Sequence, residues 1–224
     1  MRLLKTIDRL QKLHPKEIDL SLDRVKNLCK KLGNPQDSLD CIQVCGTNGK
    51  YSTIQALRAI LKEANINCNI YTSPHIQRIN ERFIYDDKEI EDDDLNNLLC
   101  QVEEINNGDS ISYFEILTAA FFYGCLKFSK NPTICEFGLF ARYDAVNILK
   151  RNLTTIITSI GLDHLDWLPK KERTIDKIIF EKTSDLLDSN IAISEQSDRL
   201  IQNKIKKSLS YNKSNKFFFN ENYS

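Results

Sequence analysis

The sequence lacks an excess of charge of either sign, and this bears on the partners it could bind. Lysine plus arginine number 31 and aspartate plus glutamate also number 31, so the formal net charge is zero. Nothing in this balance indicates a nucleic acid or a membrane surface as a partner, because both attract strongly basic proteins. A small phosphorylated ligand remains compatible with it, since a few local cations are enough to bind one.

The sequence also lacks the cysteine spacings of a metal site or a disulfide scaffold. Its seven cysteines are odd in number, include no C-x-x-C pair and lie partly within apolar runs. No apolar stretch approaches the length of a membrane span, and the first 20 residues contain no uninterrupted apolar core of the signal-peptide kind. We therefore expect a cytoplasmic protein with reduced thiols.

Apolar runs alternate with amphipathic segments along most of the chain. The apolar runs predict buried strands at 41–46, 67–72, 133–138, 153–160 and 191–194. The amphipathic or longer segments predict helices at 2–13, 21–32, 52–64, 90–104, 112–130, 175–187 and 197–208. No regular element is predicted for 73–83, and 210–216 has the composition of a linker. This order is typical of an α/β domain with a largely parallel sheet and helices on both faces.

The unusual polar residues of the sequence follow the predicted strands. They fall in four loops, at 46–51, 73–82, 138–147 and 161–166. Ligands of parallel α/β sheets bind at the carboxyl ends of the strands, where such loops meet. We therefore expect the functional site at this edge of the sheet.

The first of these loops has the composition of a phosphate-binding loop. It consists of Gly46, Thr47, Asn48, Gly49, Lys50, Tyr51, Ser52 and Thr53. Glycines let backbone N–H groups turn toward phosphate oxygens, a following helix adds its dipole, and Lys50 would neutralise phosphate charge. The match to the full P-loop pattern is incomplete, because Val44 and Tyr51 replace two of its residues. An ordinary glycine-rich turn with a surface lysine is the alternative.

Four further segments carry a family resemblance. They are YTSPHIQRINERF (71–83), YFEILTAAFF (113–122), EFGLFARYDAVN (136–147) and SIGLDHLDWL (159–168). Together with GTNGK they resemble the folylpolyglutamate synthase/dihydrofolate synthase branch of the Mur ligase superfamily, in the family's order. The resemblance implies a P-loop-type nucleotide-binding domain over 1–224, like the Mur ligase central domain, with helices of 1–35 leading into it. It also implies that this domain is incomplete at its carboxyl end and that a smaller C-terminal domain is absent.

The resemblance implies an ATP-dependent ligase. Such an enzyme phosphorylates a folate-type carboxylate, of dihydropteroate or folyl-glutamate, and the amino group of L-glutamate then attacks the acyl phosphate. Phosphate supplies the leaving group that a carboxylate lacks, and Mg²⁺ and lysine offset the negative charge that develops. The implied cofactors are ATP and two Mg²⁺ ions. The resemblance also implies a monomer that binds no nucleic acid.

The metal ligands implied by the resemblance are Ser73, Glu136, His164 and Lys182. Lys182 would act as a carbamylated lysine, since a carbamate offers the oxygen atoms that Mg²⁺ prefers. Catalytic roles are implied for Lys50, His164 and Lys182. Three of the implied metal ligands also have a plain alternative. Glu136 could be a solvated carboxylate, His164 a helix cap and Lys182 a surface residue.

The pterin or folate contacts implied by the resemblance are Asp144, Arg142, Ala145 and Asn147. Phe140-Ala141 replaces two glycines of the family pattern. Phenylalanine there predicts either a reshaped loop or packing against the pterin. Tyr113 and Phe114 are better interpreted as core residues of a long apolar helix than as pterin contacts.

Three other functions stay open at the level of the sequence. A muropeptide ligase belongs to the same superfamily, although the TSPH and YFE-x-LTA segments oppose it. A nucleotide-binding module without catalysis is compatible with Tyr51 and Phe140, which both stand where the family pattern has glycine. A generic P-loop kinase is opposed by Val44 at the first glycine position.

Overall fold

The computed structural model describes residues 2–13 and 21–223. Within them eight strands form one sheet. The strands are β1 (Cys41–Cys45), β2 (Asn69–Tyr71), β3 (Phe83–Tyr85), β4 (Lys88–Glu89), β5 (Thr133–Glu136), β6 (Thr154–Ile157), β7 (Asn190–Ile193) and β8 (Lys216–Phe218). Their order in space is β4-β3-β2-β5-β1-β6-β7-β8. Six neighbouring strands, from β2 to β8, pair in parallel, which confirms the predicted largely parallel sheet.

Helices cover both faces of this sheet, as predicted. They are α1 (Arg2–Leu10), α2 (Asp23–Lys31), α3 (Lys50–Glu63), α4 (Asp92–Asn106), α5 (Tyr113–Cys125), α6 (Ile175–Thr183) and α7 (Arg199–Ser208). Side chains of a strand alternate between faces, and the buried residues accordingly form two clusters. Ile54 of α3 packs on Val44, Ile70 and Ile134 in the smaller cluster, and the other helices contribute to the larger one. None of the described helices is long and apolar enough to cross a membrane.

The hairpin of β3 and β4 was not predicted from the sequence. β3 pairs antiparallel with β2, and β4 pairs antiparallel with β3. A two-residue turn at Asp86 and Asp87 joins them, with φ of 51° and 62°. Two consecutive positive φ values are typical of the type I′ turn of tight hairpins. The prediction of irregular structure extended to residue 83, and it was wrong at the buried Phe83 where β3 begins.

The linker interpretation of 210–216 was also wrong. β8 begins at Lys216 and pairs with β7. Asn212 is buried, and its side-chain amide donates to the carbonyl oxygens of Leu186 (3.3 Å) and Leu187 (3.0 Å). Polar residues of this segment therefore fix it to the fold by hydrogen bonds. Of the predicted leading segment 1–35, residues 1 and 14–20 lie outside the described part of the chain.

Candidate functional site

The strand order brings the four polar loops to one edge of the sheet. β2, β5, β1 and β6 are consecutive parallel neighbours. Their carboxyl ends therefore lie side by side and lead into the loops 73–82, 138–147, 46–51 and 161–166, respectively. The sequence-based expectation of a shared strand-end edge is confirmed.

The loop after β1 can form only with glycine at position 46. Gly46 has φ of 145°, and a Cβ atom there would lie 1.9 Å from the hydroxyl oxygen of Thr158. The next two residues bind the same neighbouring loop, because the N–H groups of Thr47 and Asn48 donate to the carbonyl oxygen of Ser159 at 2.8 Å and 3.2 Å. Gly49 follows with φ of 86°, and α3 begins at Lys50. The loop thus places the positive end of α3 at the strand-end edge.

Lys50 folds back over its own loop. Its Nζ atom donates to the carbonyl oxygens of Gly46 (3.2 Å) and Thr47 (3.4 Å) and lies 3.8 Å from Glu136 Oε1. The side chain is only 12% exposed, so the surface-lysine alternative does not apply. Tyr51, in contrast, is 57% exposed. Its ring does not occupy the glycine-rich loop, although the residue stands where the family pattern has glycine.

Ser73 and Glu136 lie together at the ends of β2 and β5. The N–H group of Ser73 donates to Glu136 Oε2 at 3.0 Å. The hydroxyl oxygen of Ser73 is buried and has no hydrogen-bond partner among the described residues. Burial raises the pKa of Glu136, while the Ser73 N–H, Lys50 and Arg82 favour its charged form. A buried carboxylate beside an unpartnered hydroxyl is not the solvated glutamate of the alternative interpretation.

Lys182 is buried, and its ammonium group joins two of the site loops. Its Nζ atom donates to the carbonyl oxygens of Gly46 and Leu139, each at 3.0 Å, and the residue is 1% exposed. Burial lowers the pKa of Lys182 because an ammonium loses its hydration there. The alternative of a surface lysine is therefore wrong.

His164 lies after β6 in a left-handed backbone conformation, with φ of 53°. Its Nε2 atom is 3.1 Å from Asp163 Oδ2. Burial lowers the pKa of His164, Lys182 and Lys50 lower it further, and Asp163 opposes them. His164 precedes the 3-10 turn Leu165–Trp167, but its side chain makes no capping hydrogen bond. The helix-cap alternative is therefore not supported.

Ser73 and Glu136 could supply part of the coordination shell of a hard divalent cation. Ser73 and Glu136 present adjacent oxygen atoms, the ligand type that Mg²⁺ prefers. In the described part of the chain, no group of three His, Cys, Asp or Glu side chains is arranged to hold a metal ion. A metal bound here would therefore need oxygens from a nucleotide or from water to complete its shell.

The 138–147 loop is organised around Asp144. This buried carboxylate accepts hydrogen bonds from the N–H groups of Gly138 (2.8 Å), Leu139 (3.0 Å) and Val146 (2.9 Å). Burial raises its pKa from 3.8 to about 6, against the opposing effect of the three N–H groups. The Asp144 carboxylate therefore fixes the conformation of the loop through these three hydrogen bonds. A role in ligand binding would be a second role of the same residue.

The other candidate substrate residues lie around the same loop. Arg142 stacks on the ring of Tyr143 at 4.4 Å from its centroid. The side-chain amide of Asn147 donates to the carbonyl oxygen of Asp185 at 3.0 Å, and its own oxygen is buried without a partner among the described residues. Ala145 is buried. Arg142 and Asn147 are thus partly exposed, whereas Asp144 and Ala145 are buried.

Phe140 packs inside the protein between two candidate residues. It is 2% exposed. Its ring meets that of His164 edge-on, with centroids 6.0 Å apart, and its centroid is 5.8 Å from Lys182 Nζ. Of the two sequence-based alternatives, this supports a reshaped loop, because the buried ring offers little surface to a pterin.

Tyr113 and Phe114 pack against the main core from the start of α5, as predicted. Phe114 also reaches the site edge. A Cβ atom on Gly138 would lie 2.9 Å from Phe114 Cζ and 3.3 Å from Ser73 Oγ. The glycine therefore allows the strand end, the serine and the aromatic ring to approach one another.

Two residues of the site edge were not assigned from the sequence. Thr158 excludes any side chain at Gly46, and no sequence pattern reveals such a contact. Arg82 acts on the pKa of Glu136 and donates from Nε to His75 Nδ1 at 2.9 Å. Arg82 lies in the INERF segment. Its position as a basic residue in a strand-end loop was the signal by which the sequence could have identified it.

The chain matches no protein-family profile, but it is similar to individual proteins of known function. It is 36% identical over 180 residues to the dihydrofolate synthase/folylpolyglutamate synthase of Haemophilus influenzae, which covers 80% of this chain and 40% of that relative. The chain therefore spans well under half the length of this curated relative.

Among the solved structures that share its fold, two are 28% identical to it. One is the bifunctional folylpolyglutamate synthase/dihydrofolate synthase of Yersinia pestis complexed with AMPPNP and Mn ion, with a TM-score of 0.85 and 28% identity over 96% of this chain and 51% of that chain. The other is Escherichia coli FolC in complex with DHPP and ADP, with the same TM-score, identity and coverage. Over the residues that it shares with these proteins, the chain belongs to the dihydrofolate synthase/folylpolyglutamate synthase family.

Proposed function

We propose that this chain supplies the nucleotide-binding and carboxylate-activating part of an ATP-dependent ligase. The substrates would be ATP, a folate-type carboxylate (dihydropteroate or folyl-glutamate) and L-glutamate. The observation that carries the proposal is the cluster of Lys50, Glu136 and Ser73 beside the amino end of α3. The bound AMPPNP, Mn ion, DHPP and ADP in the two similar structures support it.

The loop after β1 would hold the triphosphate. The amino end of α3, which follows this loop, favours negative charge, and Lys50 Nζ lies against the carbonyl oxygens of Gly46 and Thr47 in the loop itself. On nucleotide binding, Lys50 would exchange its weak contacts with these carbonyls for phosphate oxygens. Charge-assisted hydrogen bonds of this kind are roughly twice as strong as neutral ones.

Ser73 and Glu136 would hold a magnesium ion, with His164 and a carbamylated Lys182 as ligands of a second. When bound, Mg²⁺ neutralises charge on the transferred phosphoryl group. Ser73 already has a buried hydroxyl without a partner, so a ligand there would satisfy it. The lowered pKa of Lys182 favours the neutral amine that carbamylation requires.

The proposed reaction has two steps. A carboxylate oxygen of the folate-type substrate attacks the γ-phosphorus of ATP, the bond to the ADP oxygen breaks, and an acyl phosphate forms. The neutral amine of glutamate then attacks the acyl carbon, phosphate leaves, and the nitrogen loses a proton. Lys50 would stabilise the negative charge on the phosphoryl oxygens in both steps. This chain's residues thus contribute mainly by positioning and by electrostatics.

The two departures from the family pattern give little support to a non-catalytic protein. Tyr51 is exposed, and Phe140 is buried with its ring against His164 and Lys182. The ligase proposal therefore remains the better account of the site.

The test is ADP formation by the polypeptide from the complete reading frame that contains this chain, with ATP, Mg²⁺, dihydropteroate and glutamate. We expect Lys50→Ala to lower turnover by about 100-fold or more, the order found when one transition-state donor is removed. Lys62→Ala, on the exposed end of the same helix, is the matched control and should have near-normal turnover. Substrate-independent ADP formation, or a fully active Lys50→Ala protein, would refute the proposal.

A further inference from the structure

Arg82 is held in a rigid part of the loop that follows β2. Its neighbour Glu81 accepts hydrogen bonds from the N–H groups of Ile76 (2.7 Å), Gln77 (2.9 Å) and Arg78 (2.7 Å). These bonds tie the loop around one carboxylate, and Arg82 ends the 3-10 turn Ile79–Arg82 directly before β3. The Arg82 side chain therefore starts from a fixed backbone position at the edge of the site.

The guanidinium group of Arg82 has no acidic partner within the described residues. Its Nε atom donates to His75 Nδ1 at 2.9 Å, and a neutral imidazole contributes no negative charge to pair with the guanidinium. Arg78 of the same loop, in contrast, is paired with Asp92 at 2.9 Å, and Arg58 is paired with Asp87 at 3.0 Å. A half-buried arginine with free Nη groups is suited to binding an anion.

The location of Arg82 distinguishes this anion from the nucleotide phosphates. In the order β2-β5-β1, Glu136 of β5 lies between the loop of Arg82 and the loop of Lys50. Both cations act on Glu136, since each favours its charged form. Lys50 belongs to the loop after β1, and Arg82 belongs to the loop after β2, on the other side of Glu136 in this strand order. The N–H of Thr72 donates to the carbonyl oxygen of Arg82 at 3.4 Å, and the next residue, Ser73, donates to Glu136. A carboxylate held at Arg82 would thus lie across Glu136 from the phosphate-binding loop, as in-line attack on the γ-phosphorus requires.

An aromatic surface lies next to the same position. Burial raises the pKa of the Tyr113 hydroxyl and the charge of Arg82 opposes this, and Phe114 lies close to Gly138 at the site edge. An aryl group could pack against these rings while its carboxylate reaches Arg82. Apolar walls with a few fixed polar groups are the usual composition of small-ligand sites.

We propose that Arg82 binds the substrate carboxylate that becomes phosphorylated, through the two Nη groups that no acidic side chain occupies. The inference rests on the proposed function and adds the residue that places the acid opposite the triphosphate. Arg82 would hold one carboxylate oxygen while the other faces the γ-phosphorus. The fork of an arginine fits a carboxylate better than the single ammonium of a lysine does.

The test is calorimetric titration of the 224-residue chain, first with ADP and Mg²⁺ and then with dihydropteroate in their presence. We expect Arg82→Gln to weaken dihydropteroate binding by about 10- to 100-fold, the range of a lost hydrogen-bonded charge, and to change the Kd of ADP less than about twofold. Arg82→Lys should recover part of the loss. Arg78→Gln, in the same loop but paired with Asp92, is the matched control and should bind like the unaltered chain.

A dihydropteroate analogue with hydrogen in place of the carboxylate makes the test specific. The unaltered chain and Arg82→Gln should bind it equally, because the contact that the substitution removes is absent. An equal loss with both ligands would show that Arg82 only shapes the loop, and a loss of ADP affinity would assign it to phosphate; either result overturns the inference. An unaltered chain that binds neither ADP nor dihydropteroate would instead refute the proposed function.

Discussion

At the scale of single residues, the site depends on a few positions where only one residue type fits. Gly46 is the clearest, because its φ is 145° and Thr158 occupies the space that a side chain would need. The sequence predicted the importance of this glycine from its place after a strand. It could not reveal that Thr158, 112 positions further along the chain, imposes the requirement, since that contact exists only in the folded sheet.

Gly46→Ala is therefore expected to destabilise the protein. The new methyl group would clash with Thr158, and strain and overpacking of this kind cost at least about 2 kcal/mol. Gly161→Ala is the matched control, because a Cβ atom there meets nothing within 4 Å. Urea unfolding of both variants measures the difference. Equal stabilities would contradict the close approach at Gly46.

Asp144 provides a test of electrostatics at the same scale. Burial raises the pKa of its carboxyl group from 3.8 to about 6, so the folded state binds a proton more tightly than the unfolded chain does. Stability from this group is present below the unfolded-state pKa and is lost as the pH rises to the folded-state pKa. The free energy of unfolding of the wild type, minus that of Asp144→Asn, should thus fall between pH 4 and about 6 and stay level above it.

Urea unfolding of the two proteins at several pH values between 4 and 8 checks this expectation. The subtraction removes the titration of other carboxyl groups, including Glu136, that both proteins share. A difference that is constant across this range would show that the three N–H donors balance burial at Asp144, and one that rises with pH would show that they outweigh it; either result would contradict the expectation.

At the scale of elements, apolar runs predicted the five central strands, of which β2 and β5 are buried throughout and β1 at all but one position. β1, β2, β5, β6 and β7 all fall within the predicted runs, except for Asn190 at the first position of β7. The hairpin of β3 and β4 and the edge strand β8 were missed. Each of these strands has only two or three residues, and β4 and β8 contain charged residues, so none forms an apolar run long enough to predict a strand.

Helix α5 shows how local sequence fixes one element. Ser112 caps it: its hydroxyl oxygen accepts from the N–H of Glu115 at 3.2 Å, and the Glu115 carboxylate accepts from the N–H of Ser112 at 2.7 Å. Ser112→Ala should cost about 1 kcal/mol of stability, the usual loss for such a cap. Ser110→Ala, at an exposed position, is the control. Matching denaturation midpoints for the two variants would contradict the capping role.

At the scale of the whole molecule, a chain with no net charge concentrates cations at one edge. Lys50, Arg82 and Lys182 gather there around Glu136 and the loop after β1. The strand order of the sheet causes this, because residues that are far apart in sequence follow neighbouring strands. The family motifs identified most of these residues from the sequence, while their burial and mutual contacts required the fold.

The central claim is that Ser73 and Glu136 hold a divalent cation beside the nucleotide. The most direct measurement is Mn²⁺ binding by this chain with ADP, followed by electron paramagnetic resonance. We predict that Glu136→Gln weakens Mn²⁺ binding by about tenfold or more, because a hard cation loses a charged oxygen ligand. Glu63→Gln, at the exposed end of α3, should leave it unchanged. Equal Mn²⁺ affinity in the two variants would contradict the account.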